Sequence, residues 1–525
     1  MNTPQDTVLA YHQRTKHQPQ RFAAGPDTLD WDGQPNPFRH WAGAPLTRLP
    51  LRGQASAPTW QDVCTGQVGA AQMSRESLAL LLALSLGLTA WKQLGPDRWP
   101  LRANPSSGNL HPTEAYVLSQ GLAGLPDGLY HYAADDHALA QRAVAPVSTA
   151  SPAQTEQPTR LWLGLSSVQW REAWKYGERA FRYCQLDAGH ALGAVRYAAA
   201  VLGWQAHLVT GLTHAELAAW MGLDRDADFG RAEREEPEML IALSPLPIDP
   251  AIAAMTAMAV AQAPQPWPDA TVWQGQANRL DAHPMYRWPV IDEVAQASRQ
   301  TQPEPDPMTE LPPATRPPWW ASLGIAPGDA QPAARLIRER RSAQHFDRRA
   351  TMGHAAFQRL LAAVMPASGL PWDAWPHAPQ VHVVAYAHRV EGVPAGAYVL
   401  PRSAEGQALL VAQLQQASRL SPMPGWPVAL PLQAMAEHPT LSGTLRTLSC
   451  HQAIASDACV AFSLVADFQA PVQTQPAAYR SLLQEAGLIG QALYLQAEAE
   501  GLRGTGIGCY FDDAVHELLG LRDTT

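Results

Sequence analysis

Four strings combine residue types that do chemistry. Arg102-Ala-Asn-Pro-Ser-Ser-Gly-Asn-Leu-His-Pro112 precedes the strand-like EAYVLS. Pro105, Gly108 and Pro112 set a turn, and Ser106, Ser107 and Asn109 offer short donors and acceptors suited to the edge of a planar polar heterocycle. The bland alternative is a connector held by its own side chains. Arg338-Glu-Arg-Arg-Ser-Ala-Gln-His-Phe-Asp347 supplies bidentate donors and a hydroxyl at Arg340, Arg341 and Ser342, which suits a phosphate monoester, or else forms a solvated basic helix end. Gly504-Thr-Gly-Ile-Gly508-Cys-Tyr-Phe-Asp-Asp513 lets backbone approach a ligand at Gly506, Gly508 and Cys509, and lacks the GxGxxG dinucleotide pattern. In Trp170-Arg-Glu-Ala-Trp-Lys-Tyr-Gly-Glu-Arg-Ala-Phe-Arg-Tyr183, Lys175 and Tyr176 adjoin Arg179 and Arg182. A positive neighbourhood would lower the lysine's pKa and fit it for proton transfer; alternatively Arg171, Lys175, Glu178 and Arg182 make a salt-bridged outer helix face.

The elements that must position these strings read as short apolar strands alternating with longer helices. EAYVLS (114–119), TRLWLGL (159–165), QVHVVAY (380–386) and CVAFSLVA (459–466) are the strands, and the expected class is α+β with a central sheet. A long alanine-rich helix occurs twice. Asp187–Leu223 lies without gaps on Glu485–Leu521, with Ala188, Gly189, Ala194, Ala199, Gly203, Gly222 and Leu223 repeated as Ala486, Gly487, Ala492, Ala497, Gly501, Gly520 and Leu521. The shared glycines predict a close packing point, a helix C-terminal cap and a closing turn in both copies. LALLLAL (78–84) against FQRLLAA (357–363) and GLYHY (128–132) against GAYVL (396–400) keep the same order. The chain therefore reads as two related halves, 1–260 and 331–525, joined by a connection over 261–330 in which QAPQPWPD and QPEPDPMTELPPATRPPWW cannot hold helix or central strand.

Composition narrows the class. The 525 residues carry 38 Lys plus Arg and 47 Asp plus Glu, a net charge of −9 with no basic footprint for nucleic acid. A hydrophobic fraction of 46% excludes a disordered chain. The longest apolar run, Leu78 to Trp91, is interrupted by Ser85, Gly87 and Thr89 and falls short of the about 20 residues of a membrane span, so no membrane helix is expected. No export signal is visible, and five cysteines make no disulfide framework, which suggests a reducing, cytoplasmic setting. With no HExxH and no paired CxxC, no metal is expected.

Taken together, YHQRTKH (11–17), LDWDGQPNPFRHW (29–41), RANPSSGNLHPTEAYVL (102–118), WKYGERAFRYCQLDAGHALG (174–193), RRSAQHFD (340–347) and GLRGTGIGCYFDD (501–513) resemble the FMN-dependent nitroreductase superfamily, in its tandem SagB-type dehydrogenase branch. The resemblance implies an α+β fold, non-covalent FMN and redox chemistry at the flavin N(5) position. Family members bind flavin between two subunits; here the motifs are divided between halves of one chain, implying an intramolecular pseudo-dimer with one composite site and a second site lost. In that site Arg340, Arg341 and Ser342 would hold the phosphate, the loop of Arg102, Pro105, Ser106, Ser107 and Asn109 would meet the isoalloxazine edge, and the backbone of Gly506, Gly508 and Cys509 would face the redox-active nitrogen. Lys175-Tyr176 matches the catalytic pair of azoline-oxidising members. The implied function is an FMN-dependent oxidoreductase acting on a small molecule or peptide heterocycle, with oxygen or another acceptor; the alternatives are an NAD(P)H-dependent nitro or quinone reductase and a flavin-free scaffold. The assembly is expected to be a monomer or a homo-oligomer.

Overall fold

The computed structural model describes residues 3–51, 58–144, 159–245, 263–303, 312–414, 420–437 and 440–522. An N-terminal helix, α1 (Pro4–Arg14), starts on a Thr3 capping box completed by Asp6. Helix α2 (Arg75–Ser85) is capped by Ser74 and buries Leu78, Leu81 and Leu82. The apolar run read across 78–91 changes element after Ser85: the chain turns at Gly87 and enters a hairpin of Leu88–Leu94 against Asp97–Arg102.

Strands β1 (Thr113–Gln120), β2 (Gly128–Ala133), β3 (Ala138–Val144) and β4 (Arg160–Ser167) follow, then helices α3 (Gln169–Tyr176) and α4 (Ala180–Val201), then β5 (Trp204–Leu208) and β6 (Glu236–Pro245). They form an antiparallel sheet in the order β3-β2-β1-β4-β6-β5. Val272–Trp273 extends its β3 edge, so that part of the proline-rich stretch is built into the N-terminal half. Helix Pro289–Ala297 lies between the two proline strings and opens on the proline that suits a first helical position.

The C-terminal half repeats the plan: helices α5 (Ala333–Glu339) and α6 (His354–Ala363), strands β7 (Val381–Ala387), β8 (Gly396–Leu400), β9 (Gln433–Glu437) and β10 (Val460–Ala466), then α7 (Ala478–Ala499) and α8 (Asp512–Leu519). Its sheet runs β9-β8-β7-β10, with Ser421–Pro422 beside β9. All four strands read from the sequence fold as strands, and the architecture is α+β.

The repeated glycines take repeated places. Helices α4 and α7 are both 22 residues long and cross where no side chain fits. A Cβ on Gly189 would lie 1.9 Å from the carbonyl oxygen of Gln484, and one on Gly487 would lie 2.1 Å from that of Leu186. The two clashes exchange under the register of the duplication, as a pseudo-twofold axis through the crossing requires. Gly203 and Gly501 follow the helix ends with φ of 65° and 71°. Among the described residues, no helix is long and apolar enough to cross a membrane.

Helix α1 straps the halves together. His12 stacks on Phe468 with ring centroids 3.9 Å apart, Tyr11 meets Tyr479 edge-on, and Lys16 pairs with Asp513 at 2.7 Å.

Candidate active site

A cavity of about 1640 Å³ opens between the halves, lined by the Pro105–Asn109 turn, Tyr176 and Asp187 from one half and by Arg340–Ser342, Tyr494 and Gly504–Cys509 from the other. Three sequence strings far apart in the chain thus reach one space. Lys175 does not line it: its Nζ sits 5.6 Å from the Trp31 ring and 5.4 Å from the Tyr176 ring.

Each string is held by a side chain absent from the sequence-based set. Asp187 of α4 accepts from the Ser107 amide at 3.1 Å and from its hydroxyl at 2.9 Å, clamping the turn. Burial pushes this carboxyl up to about 7, against the opposing pull of the Ser107 and Ser106 hydrogen bonds. Ser106 Oγ accepts from the His111 amide and Asn109 donates to the Pro100 carbonyl, so much of the turn's polarity is spent on its own shape. Asn109 and His111 hold left-handed φ of 61° and 53°, supported by these bonds. Arg102 is buried and donates to the carbonyls of Thr113 and Pro37, anchoring the start of the turn.

The glycine string is gripped from both halves. Tyr183 donates to the Gly508 carbonyl at 2.9 Å and Arg179 to the same oxygen at 3.1 Å, while the Gly506 amide donates to Tyr494 Oη at 2.9 Å. A side chain at Gly508 would strike the Tyr183 ring, 2.4 Å from an added Cβ. Among the described residues the amides of Gly508 and Cys509 have no acceptor. Arg182 and Arg179 also pair with Asp512, at 2.9 and 3.2 Å.

At the Arg340–Ser342 end, Arg340 is buried, and its guanidinium stands 5.1 Å over the Tyr494 ring with Nη1 lacking any partner among the described residues. Arg341 turns its Nη1 onto the carbonyls of Arg338 and Arg340, and Ser342 Oγ meets Tyr494 Oη at 3.0 Å. A buried guanidinium with an unused donor, a glycine backbone that excludes side chains, and open amides fit a flat anionic ligand with a phosphate tail.

The Lys175-Tyr176 string differs from both of its readings. Helix α3 ends at Gly177, whose φ is 54°, so Arg171 through Arg182 is not one outer face. Arg171 is instead buried on Glu114 at 2.5 Å, and Glu178 binds Arg14. Burial lowers the Lys175 pKa, partly offset by Glu172, while Arg179 and Arg182 spend their charge on Asp512. Glu172 is fully buried with neither oxygen partnered among the described residues; burial first, then nearby Asp187, pushes it well above the usual carboxylate range. Tyr176 packs at 4.6 Å on Tyr183 and over Gly108, whose added Cβ would lie 2.5 Å from the Tyr176 oxygen.

A further difference concerns the cysteines: Cys450 and Cys509, 59 residues apart, form a disulfide. That separation carries no spacing signal, and only the fold brings the two together.

The pseudo-equivalent positions on the other side carry a buried ion pair. At the helix position matching Tyr494 stands Arg196, which binds Asp373 through two nitrogens at 2.9 and 2.8 Å and donates to the Trp204 carbonyl. Trp372 and Trp375, which flank Asp373 closely in sequence, are buried, and Arg402 lies over the Trp372 ring. At the position matching Asp187 stands Glu485, which accepts from the amides of Gln380 and Val381 and pairs with Arg402. One helix position therefore clamps the corresponding loop in each half, as PSSGN in one and PHAPQ in the other.

The Nitroreductase family model matches residues 70–242 and 337–525. A solved structure from Anabaena variabilis, assigned as a nitroreductase, is similar at a TM-score of 0.66 and 22% identity over 99% of this chain and 97% of that one. A second, from Ralstonia eutropha and likewise assigned, matches at a TM-score of 0.28 and 18% identity over 42% of this chain and 96% of that one. The Escherichia coli microcin synthetase McbBCD complex with truncated pro-MccB17 matches at 0.27 and 15% over 46% of this chain and 93% of that one. No curated protein matches. The matched regions contain the two helices that cross at Gly189 and Gly487 and the strings that share the cavity, and the chain belongs to the Nitroreductase family.

Proposed function

We propose that this flavin-dependent oxidoreductase carries one FMN per chain, in the cavity between its halves, and acts as a dehydrogenase of the SagB type. The observation that supports this best is the asymmetry of the two pseudo-equivalent spaces. One keeps the buried Arg340 with an unused donor, the Pro105–Asn109 turn and the open Gly508 and Cys509 amides; the other carries the buried Arg196–Asp373 ion pair at the matching positions.

In this reading Arg340, Arg341 and Ser342 hold the phosphate, Ser106, Ser107 and Asn109 border the ring edge together with Arg102 and Pro105, and the backbone at Gly506, Gly508 and Cys509 faces the reactive edge. Bound flavin supplies the hydride acceptor. The chain's own residues orient it and manage the proton. Tyr176 meets the cavity and would pass the proton that a substrate heterocycle gives up alongside hydride to Lys175 behind it, whose pKa burial lowers. The halves 1–260 and 331–525, joined by 261–330, each supply one face.

The test is flavin release with phosphate analysis on the FMN-loaded protein, followed by anaerobic mixing with a thiazoline-containing peptide. One FMN per chain and flavin bleaching are expected. Lys175→Ala should keep FMN and lose turnover. Two FMN per chain would overturn the single site, and unchanged turnover in Lys175→Ala would make that residue structural.

A further inference from the structure

The cavity holds a second group able to carry two electrons. Cys450 and Cys509 both line it, each partly exposed. Cys509 directly follows Gly508, whose amide is open toward the proposed flavin edge, and one residue of extended chain spans about 3.5 Å. The other three cysteines are unpaired: Cys64 and Cys184 lie buried, and Cys459 is half-buried.

The glycine string has anchors besides this bond. Gln452 already donates to the Cys509 carbonyl at 3.1 Å, the Phe511 amide donates to the Leu448 carbonyl at 2.8 Å, and Arg182 and Arg179 fix Asp512. Cys450 and His451 both adopt left-handed φ, 51° and 61°, a conformation that non-glycine residues seldom take and that concentrates at functional sites.

We propose that Cys450 and Cys509 are a redox-active disulfide that accepts two electrons from the flavin bound in the same cavity, an inference that rests on the FMN reading above. Reduction breaks the Sγ–Sγ bond; two electrons and two protons convert it to two thiols, and the reduced flavin that delivers the electrons returns to its oxidised form. A small external disulfide reaching the partly exposed sulfurs resets the pair by exchange: the Sγ–Sγ bond re-forms and the external disulfide leaves as two thiols.

The test uses aerobically purified, FMN-loaded protein. Flavin is photoreduced anaerobically with EDTA as the electron donor, the sample is acid-quenched and alkylated, and labels are located by mass spectrometry, with half-buried Cys459 as the internal control. Before illumination Cys450 and Cys509 should be unlabelled; after full bleaching both should be labelled, and the same illumination of flavin-free protein should leave them unlabelled. Cys450→Ser should bind FMN and bleach with one fewer two-electron equivalent than wild type. Labels on both residues before illumination, or neither labelled after full bleaching, overturns the proposal while leaving the FMN site standing. Failure of the protein to quench FMN fluorescence overturns both readings together.

Discussion

Gly487→Ala tests the architecture at its tightest point. The added Cβ would lie 2.1 Å from the Leu186 carbonyl oxygen, more than 1 Å inside ordinary contact, and the obstacle is backbone rather than a mobile side chain. Overpacking of this kind costs about 3 kcal/mol at the upper end of its usual range. Replacing a helix-interior glycine returns about 1 kcal/mol through helix propensity, leaving a net loss of about 2 kcal/mol. Gly443→Ala is the control, because that glycine lies in helix Leu441–Leu448 with nothing within 4 Å of an added Cβ, and it should gain up to about 1 kcal/mol. Gly189→Ala meets the same crossing from the other helix. Once one methyl has separated the helices the second costs less, so the double variant should lose less than the sum of the singles. Urea unfolding followed by tryptophan fluorescence measures all four variants beside wild type. Stability at or above wild type in Gly487→Ala, or strict additivity in the double variant, refutes the close pseudo-twofold crossing.

Asp373→Ala should destabilise by about 3 to 5 kcal/mol, because it strands the buried Arg196 guanidinium, and should leave FMN stoichiometry at one per chain; thermal unfolding and flavin release check both. Asp187 sets a pH dependence. The folded protein keeps its proton up to about 7 whereas the unfolded chain loses it near 3.8, so the stability this residue contributes is present below pH 3.8 and lost as pH rises through 7. Asp187→Asn keeps an acceptor for Ser107 and should flatten the unfolding free energy of the flavin-free protein over that window, by on the order of 4 kcal/mol; an unchanged pH slope would show that the carboxyl is ionised in the fold.

The two-half plan was legible because duplication repeats glycines at constraints that backbone geometry alone imposes. Strands β1, β4, β7 and β10 were legible for a similar reason, since short apolar runs bounded by turns have few alternatives. The three strings that meet in the cavity stood out in the sequence through clustered Arg, Ser, Asn and Gly. Their clamps were not. Asp187, Tyr183 and Arg179 lie on or beside a buried helix where local patterning cannot distinguish a satisfied polar group from a ligand contact. Lys175 and Tyr176 are adjacent in sequence, yet the break at Gly177 and the packing of Tyr176 on Tyr183 send only one of them to the cavity. The Cys450–Cys509 pairing depends on two loops from separate elements, which no spacing rule joins.

The strap formed by α1, with the crossing at Gly189 and Gly487, has a consequence for dilution. A ligand seat shared by two subunits vanishes as concentration falls below their dissociation constant. Here both faces of the cavity travel on one chain, and the Arg196–Asp373 pair ties the halves together on the opposite side of the crossing. If FMN binds there as proposed, its affinity should be the same at any protein concentration.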